Sequence, residues 1–192
     1  MGGSALNPKG ALLVLSGPSG VGKTTIAKKL RETPGIVRVM TTTTRARRSN
    51  EVDGRDYRFL ARADFEAAIA AGEFLEWAEI DGNLYGTPKV EIAKQLSLGK
   101  AVLVDIDTQG ARSVRQLGLP AFFVFVAPPD MAELRRRLEG RKTEGPEALK
   151  MRLERAEREL SQKDSYDAVV VNATVEGAVG EILAEARKRN LL

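Results

Sequence analysis

The sequence predicts an α/β domain built around a mainly parallel β-sheet. Apolar runs of strand length alternate along the 192 residues with segments of helical periodicity. The chain is 43% hydrophobic and 29% charged, which is typical of one globular domain. It has no histidine and no cysteine, so imidazole or thiol catalysis, zinc sites built on those side chains and disulfides are excluded.

The first βα unit is the clearest. Ala11–Ser16 is a short buried strand, residues 17–22 form a glycine-rich turn, and residues 24–30 form a helix that ends before Pro34 and Gly35. Further predicted strands are Ala101–Asp105, 121–126 and Ala168–Val171, and further predicted helices are 130–139, 146–162 and 175–189.

The character of the sequence changes between about residues 37 and 87, which indicates a small inserted α+β subdomain. Threonine- and arginine-rich sequence is followed there by Tyr57-Arg58-Phe59, a short helix near 64–71 and the strand Phe74–Ile80. Residues 139–147 combine Gly140, Gly145 and Pro146 with charges, so they are expected to form a mobile loop.

The charge balance permits an anionic ligand. The formal net charge is +4 and the sequence pI is about 9.4, so a nucleotide and a nucleic acid both remain open. No apolar run approaches the ~20 residues of a membrane span, and no secretion signal begins the chain. We therefore expect a cytoplasmic protein that does not contact membranes.

Residues 17–24 match the phosphate-loop motif G-x-x-x-x-G-K-S/T, between a predicted strand and a predicted helix. Glycines allow backbone N–H groups to turn toward phosphate oxygens, and the helix N-terminus adds positive potential. Lys23 is expected to contact the β- and γ-phosphates of a nucleoside triphosphate, and the Thr24 hydroxyl is expected to bind Mg²⁺. The fold class is thus a P-loop NTPase fold of three layers. The residues of the loop are Gly17, Pro18, Ser19, Gly20, Val21, Gly22, Lys23 and Thr24.

Asp105 ends an apolar strand, where a second magnesium-directed group is expected in proteins of this type. The alternative is that Asp105 only caps the following helix. Asp107 lies two residues further on, and its spacing leaves open whether it shares the metal or faces a second ligand.

Residues 41–48 bring hydroxyls and arginines close together, and Tyr57 follows. Guanidinium groups pair bidentately with phosphate oxygens, and threonine and tyrosine hydroxyls are neutral donors. The cluster suits a second phosphate, although composition alone favours the alternative, which is a basic surface strand or an RNA-contacting patch.

The sequence closely resembles the guanylate kinase family from about residue 12 to residue 189. Several motifs occur in the family's order, which makes the resemblance specific. They are residues 16–24, Thr43-Thr44-Arg45 with Arg48, residues 51–57, residues 74–78, Tyr85-Gly86-Thr87, residues 105–110 and residues 137–141.

The resemblance implies transfer of the γ-phosphate of ATP to GMP or dGMP, with Mg²⁺, to give ADP and GDP or dGDP. The implied layout is a tail (1–10), a core (11–36, 88–136 and 153–192), a GMP-binding subdomain (37–87) and a lid (137–152). No nucleic acid, membrane or obligate protein partner is expected beside these substrates.

The resemblance also implies site residues at the matching positions. Those expected to bind the GMP phosphate are Arg45, Arg48, Tyr57 and Tyr85, and those expected to bind guanine are Thr41, Glu76, Thr87 and Asp107. Those expected to bind ATP beside the loop are Thr25, Arg137 and Asn172. The implied catalytic residues are Lys23, Arg48, Arg141 and Arg152, and the implied metal ligands are Thr24 and, through water, Asp105.

The chemistry of guanine supports the role of Glu76. Guanine presents N1–H and N2–H₂ on one edge, and a single carboxylate accepts from both donors, whereas adenine lacks this donor pair. A site built on such hydrogen bonds rejects a base that leaves them unmade by up to roughly 10⁴–10⁵. The alternative for Glu76, if the resemblance is set aside, is a surface carboxylate on an amphipathic strand beside Trp77.

Three other functions are compatible with parts of the sequence. A scaffold of this family that binds proteins and has lost catalysis is disfavoured, because Lys23 and Thr24 are present. A phosphate-loop ATPase that acts on nucleic acid rests only on the positive charge balance. Another nucleoside-monophosphate kinase differs only in the acceptor base.

Overall fold

The computed structural model describes residues 9–140 and 146–192. The strands are β1 (Ala11–Ser16), β2 (Ile36–Arg38), β3 (Thr42–Thr43), β4 (Arg58–Phe59), β5 (Phe74–Ile80), β6 (Asn83–Pro88), β7 (Ala101–Asp105), β8 (Ala121–Ala127) and β9 (Ala168–Val171). The helices are α1 (Lys23–Leu30), α2 (Arg62–Ala70), α3 (Lys89–Ser97), α4 (Thr108–Gln116), α5 (Met131–Glu139), α6 (Pro146–Leu160) and α7 (Val175–Lys188), with a 3₁₀ turn at Lys163–Ser165.

The larger sheet consists of five parallel strands in the order β2-β7-β1-β8-β9, with β1 at its centre. Successive residues of β1 point to opposite faces. Leu13 and Leu15 pack in the cluster that includes α1 and α7, and Leu12 and Val14 pack in the cluster that includes α3 and α4. Helices therefore cover both faces, which explains why the core strands are continuous apolar runs.

The smaller sheet has the order β4-β3-β6-β5 and is mostly antiparallel. Its own apolar cluster is formed by Phe65 of α2 with Phe74 and Leu84, and the rings of Phe65 and Phe74 stack with centroids 4.4 Å apart. This sheet carries several of the residues that are expected to bind GMP.

The chain passes from one sheet to the other at positions slightly different from the predicted subdomain boundaries. Val37 and Arg38 pair with β7 in the core sheet, and Pro88 pairs with Phe74 in the small sheet. The core thus continues to residue 38 and the small sheet to residue 88, rather than to 36 and 87. Three residues of an edge strand carry too little periodicity to be separated from the inserted sequence that follows.

Helices α5 and α6 pack together through an apolar cluster of their own, made by Leu134, Leu138, Leu153 and Ala156. The predicted lid boundaries at 137 and 152 fall inside these helices, because α6 continues without interruption to Leu160. Residues 141–145, which include Arg141 and most of the predicted loop 139–147, lie outside the described residues.

The predicted tail is shorter than ten residues. Residues 1–8 lie outside the described part of the chain, whereas the backbone N–H of Gly10 donates to the carbonyl of Leu96 at 3.0 Å. Gly10 is therefore attached to the end of α3. No helix within residues 9–140 and 146–192 has both the length and the apolar character needed to cross a membrane.

Most predicted elements occur within one or two residues of their predicted bounds, but α3 and α4 have no predicted counterpart. Each is nine residues long. Helix α4 contains Gly110 and only two apolar side chains, Ala111 and Val114, so few apolar residues mark it as a helix in the sequence. Its N-terminus is fixed instead by Asp107, whose side chain accepts from the N–H of Gly110.

Candidate active site

A central cleft of about 300 Å³ lies where β1 and β7 end and faces the small sheet. In open α/β sheets, ligands bind beyond the carboxyl ends of the strands. The cleft is lined by Gly17, Ser19, Lys23, Thr41, Arg45, Arg48, Tyr57, Glu76, Ala78, Ile80, Asp81, Asn83, Tyr85, Asp105, Ile106, Asp107, Arg152, Arg155 and Glu159.

The loop between β1 and α1 needs glycine at positions where its backbone approaches its neighbours. Gly17 has φ 136°, and a Cβ there would lie 2.2 Å from the carbonyl oxygen of Val126 on β8. Gly22, the N-cap of α1, has φ 101°, and a Cβ there would lie 2.5 Å from Nδ2 of Asn172. Any other residue would displace this loop from the helix N-terminus.

A cation and two oxygen ligands meet at the floor of the cleft. The Lys23 Nζ atom donates to the carbonyls of Gly17 (2.5 Å) and Pro18 (3.0 Å), so the ammonium lies over its own loop. The Thr24 hydroxyl lies 3.4 Å from Oδ2 of Asp105. Burial raises the pKa of Asp105, and the charges of Lys23 and Arg38 oppose that rise.

The opposite wall of the cleft carries the arginine and tyrosine cluster. Nη2 of Arg45 contacts both carboxylate oxygens of Glu51, at 2.7 and 2.9 Å, and the same carboxylate accepts from the backbone N–H of Arg48. The Arg45 guanidinium lies 5.6 Å from the ring centroid of Tyr57, whose ring meets that of Tyr85 edge-on at 6.4 Å. Arg45 is thus oriented by Glu51.

Glu76 is a buried carboxyl group facing the same cleft. It is 6% exposed, and the Thr87 hydroxyl donates to its Oε1 at 2.5 Å. Burial raises the pKa of Glu76 to about 7, the hydrogen bond from Thr87 opposes the rise, and the charge of Asp107 adds to it. A Cβ on Gly110 would lie 2.7 Å from Oε2, so only glycine lets this carboxyl group approach α4.

The comparison with known families decides the identity of this arrangement. The family model described as guanylate kinase matches residues 9–187. The chain belongs to the guanylate kinase family.

Individual relatives agree with that assignment. The guanylate kinase of Novosphingobium aromaticivorans is 48% identical over 190 residues, covering 96% of this chain and 86% of the relative. That of Nocardia farcinica is 50% identical over 179 residues, covering 92% and 93%. A crystal structure of guanylate kinase from Anaplasma phagocytophilum is similar with a TM-score of 0.80 at 34% identity, covering 96% of this chain and 88% of that one.

Three sequence-based predictions are thereby confirmed: the guanylate kinase family, its enzyme class of ATP:GMP phosphotransferases, and the P-loop NTPase fold with a mainly parallel sheet. The roles of individual residues remain predictions, and the geometry bears on each of them separately.

Most predicted site residues of this guanylate kinase lie on the central cleft or touch a residue that does. Two of them, Thr24 and Thr87, contact the cleft-lining carboxyl groups of Asp105 and Glu76. The predicted residues that line the cleft are Gly17, Ser19, Lys23, Thr41, Arg45, Arg48, Tyr57, Glu76, Tyr85, Asp105, Asp107 and Arg152.

Arg137 and Asn172 line a second cavity of about 510 Å³, together with Gly20, Gly22 and Thr25. Nδ2 of Asn172 donates to the carbonyl of Val21 at 2.7 Å, and Arg137 donates to the same carbonyl and to that of Asn172. Both side chains therefore brace the phosphate loop. Oδ1 of Asn172 is buried and has no hydrogen-bond partner within the described part of the chain.

Other residues at the site were not predicted. Arg38, the last residue of β2, donates to the carbonyl of Asp56 at 3.3 Å and lies 6.0 Å from the ring centroid of Tyr57. Arg155 and Glu159 line the cleft from α6. In the sequence these are charged residues of a strand end and an amphipathic helix, and nothing in their spacing separates them from solvated neighbours.

Glu76 should make the stability of the protein pH-dependent. Its pKa is higher in the folded protein, about 7, than its ordinary value of 4.5, so the protonated form contributes stability below pH 4.5. That contribution, up to about 3 kcal/mol at 1.36 kcal/mol per pKa unit, is lost as the pH rises through 7. Urea unfolding of wild type and Glu76→Gln between pH 4.5 and 8 measures the loss.

Glu79→Gln is the matched control, because Glu79 lies on the same strand and its side chain is 49% exposed. The control should keep the wild-type dependence on pH, whereas Glu76→Gln should flatten it. Equal pH dependence in wild type and Glu76→Gln would contradict the raised pKa of Glu76.

Proposed function

We propose that the protein transfers the γ-phosphate of Mg²⁺-bound ATP to GMP or dGMP within the central cleft. One observation carries the proposal: a single cavity is lined by the phosphate-loop lysine Lys23, by the phosphate-binding candidates Arg45 and Arg48, and by the buried carboxyl group of Glu76. Donor and acceptor groups thus face the same space, as an in-line transfer between two bound nucleotides requires.

The donor side supplies backbone amides and one ammonium group. The loop presents the N-terminus of α1 to the phosphates, and Lys23 exchanges its contacts with the Gly17 and Pro18 carbonyls for phosphate oxygens. The unpartnered acceptor Oδ1 of Asn172 suits the N6 amino group of adenine, which is a donor. Guanine has an acceptor at the corresponding position, so this favours ATP as the donor nucleotide.

The residues beside Lys23 fit a magnesium ion. Mg²⁺ prefers oxygen ligands and is usually held by one or two protein groups together with substrate phosphates and water. The Thr24 hydroxyl and the Asp105 carboxylate, 3.4 Å apart, provide such a pair, with Asp105 acting through water. When bound, the ion would neutralise charge on the phosphates. No group of three or more acidic side chains within the described residues could hold a metal by itself.

The acceptor phosphate binds to the cluster on the opposite wall. Arg45 and Arg48 contribute charged donors, and Tyr57 and Tyr85 contribute hydroxyls. Since Glu51 already holds Arg45 in place, the side chain loses less conformational freedom on binding than a free arginine would.

Glu76 selects the acceptor base. Its ionised carboxylate accepts from N1–H and N2–H₂ of guanine, while Thr87 donates to the carboxylate from the protein side. Thr41, which is buried, and Asp107 complete the base site. Adenine would leave the side of the buried carboxylate that faces the base without donors. The groups assigned here bind the base and the phosphate, so dGMP satisfies them as GMP does.

Charge neutralisation and alignment account for catalysis. The acceptor phosphate is already anionic, so a strong general base is not needed. Lys23, Arg48 and Arg152 line the cleft and stabilise charge on the transferring group. Arg141 is assigned the same role by position in the sequence. A cytoplasmic location and the lack of nucleic-acid and obligate protein partners stay predictions.

With Mg·ATP, GMP and dGMP should be phosphorylated far faster than AMP, CMP or UMP. The ratio of kcat/KM for GMP to that for AMP should reach roughly 10⁴ in the wild type, because AMP leaves Glu76 unpaired. Glu76→Gln should lower this ratio by at least about 100-fold. A coupled assay of ADP formation with each monophosphate gives the values.

Glu79→Gln, on the exposed face of the same strand, is again the control and should keep the wild-type ratio. Comparable kcat/KM for AMP and GMP in the wild type would refute the role of Glu76.

Replacing Lys23 should separate catalysis from acceptor binding. Lys23→Ala is expected to reduce kcat by about 10³-fold, since the ammonium stabilises charge on the transferring phosphate. GMP affinity, measured by calorimetry without ATP, should change less than about threefold. Lys29→Ala, a solvent-exposed lysine of the same helix paired with Glu32, should leave both values near those of the wild type. Loss of GMP binding with unchanged kcat would contradict the layout.

The Thr24 hydroxyl should set the magnesium requirement. Thr24→Ala is expected to raise the Mg²⁺ concentration for half-maximal activity by about tenfold, because removing one ligand oxygen weakens binding. Thr24→Ser keeps the hydroxyl and should restore the wild-type value. Titration of Mg²⁺ into the EDTA-treated enzyme tests this, and identical titrations for all three proteins would rule out Thr24 as a ligand.

A further inference from the structure

We infer that Arg155 is a positioning residue for the acceptor nucleotide: it fixes the Asp107 carboxylate and ties the β5–β6 turn of the small sheet to α6. This inference rests on the proposed function, because it concerns how the base site is held in shape. Arg155 has no role in the motifs that identified the site from the sequence.

Arg155 contacts carboxylates from three parts of the fold. Its Nε atom lies 3.0 Å from Oε1 of Glu159, its Nη2 atom 3.4 Å from Oδ2 of Asp107, and its Nη1 atom 3.5 Å from Oδ1 of Asp81. Glu159 is on the same helix, Asp107 begins α4, and Asp81 lies between β5 and β6. One guanidinium group therefore spans the cleft from the core to the small sheet.

The contact with Asp107 completes the restraint on that side chain. Oδ1 of Asp107 accepts from the backbone N–H of Gly110 at 2.8 Å, as the N-cap of α4, and Oδ2 faces Arg155. Both oxygens are thus held. Asp107 and Gly110 also border the Glu76 carboxyl group, since a Cβ on Gly110 would lie 2.7 Å from Glu76 and 3.3 Å from Asp107.

The charges around the base site require a cation at this position. Glu76, Asp107 and Glu159 all line the cleft, and their side chains are largely buried. Neighbouring carboxylates in such surroundings repel each other. Arg155, whose side chain is 27% exposed, contacts two of the three and so compensates their charge while the third accepts from guanine.

The contact with Asp81 connects the small sheet to the core. Asp81 has φ 50° in the turn that joins β5, which carries Glu76, to β6, which carries Tyr85 and Thr87. Attachment of this turn to α6 limits the movement of the strands that carry the base-binding groups. Loss of the contact between Arg155 and Asp81 should therefore weaken GMP binding. ATP binding should stay unchanged, because Arg137 and Asn172 hold the phosphate loop separately.

Kinetics of five variants, one of them a control, test the inference. Arg155→Met should raise KM for GMP about tenfold, with KM for ATP within about twofold of the wild type. Arg155→Lys keeps the charge and should recover most of the effect. Asp81→Asn should raise KM for GMP about threefold, and the double variant Arg155→Met/Asp81→Asn should be no worse than Arg155→Met. Arg158→Met changes an exposed arginine of the same helix and should match the wild type.

The melting temperature of each variant distinguishes positioning from support of the fold. Asp81 has a side chain that is 63% exposed, so Asp81→Asn should melt within about 2 °C of the wild type and gives a test even if Arg155→Met folds poorly. An unchanged KM for GMP in Asp81→Asn or in a folded Arg155→Met, or parallel changes of KM for ATP and GMP, would overturn the inference. If the wild type does not phosphorylate GMP at all, the proposed function fails first and the inference with it.

Discussion

The site depends on one constraint, which is that the backbone of the phosphate loop packs directly against its neighbours. The backbone of Gly17 lies so near the carbonyl of Val126 that no side chain fits between them. The carbonyl of Val21 is held by Asn172 and Arg137. Strands β8 and β9 and helix α5 thus fix a loop that carries few side chains of its own, and a loop fixed before binding loses little entropy when phosphates arrive.

The proposed acceptor site depends on a buried titratable side chain, whereas the phosphate loop depends on closely packed backbone. Glu76 is kept from solvent with one hydroxyl partner, so its pKa is about 7 and its carboxylate is incompletely satisfied without a ligand. In the proposed function, a guanine edge supplies the missing donors. Selectivity then follows from the cost of leaving a buried acceptor unpaired, which is larger than the gain from making an exposed hydrogen bond.

Three cationic groups in the cleft have partners within the protein. Lys23 lies on the carbonyls of its own loop, Arg45 on Glu51, and Arg155 on Asp107. Such contacts orient the side chains where phosphates and a base are to bind, and they limit repulsion among the cations. Binding of two anionic nucleotides replaces some of these partners, so the net gain in free energy is smaller than the new contacts alone suggest.

The sequence by itself determined the fold class and the phosphate-loop motif, and it predicted most of the residues that line the cleft, because buried parallel strands, a glycine pattern and several ordered motifs are local signals. It did not determine helix α4, which has only two apolar side chains and is capped by Asp107, or the close approach of the Glu76 carboxyl group to Gly110. It also did not distinguish Arg38 and Arg155 from solvated arginines. Only the tertiary structure decided these points, since they depend on which distant carboxylates, rings and carbonyls are brought within a few ångströms of each side chain.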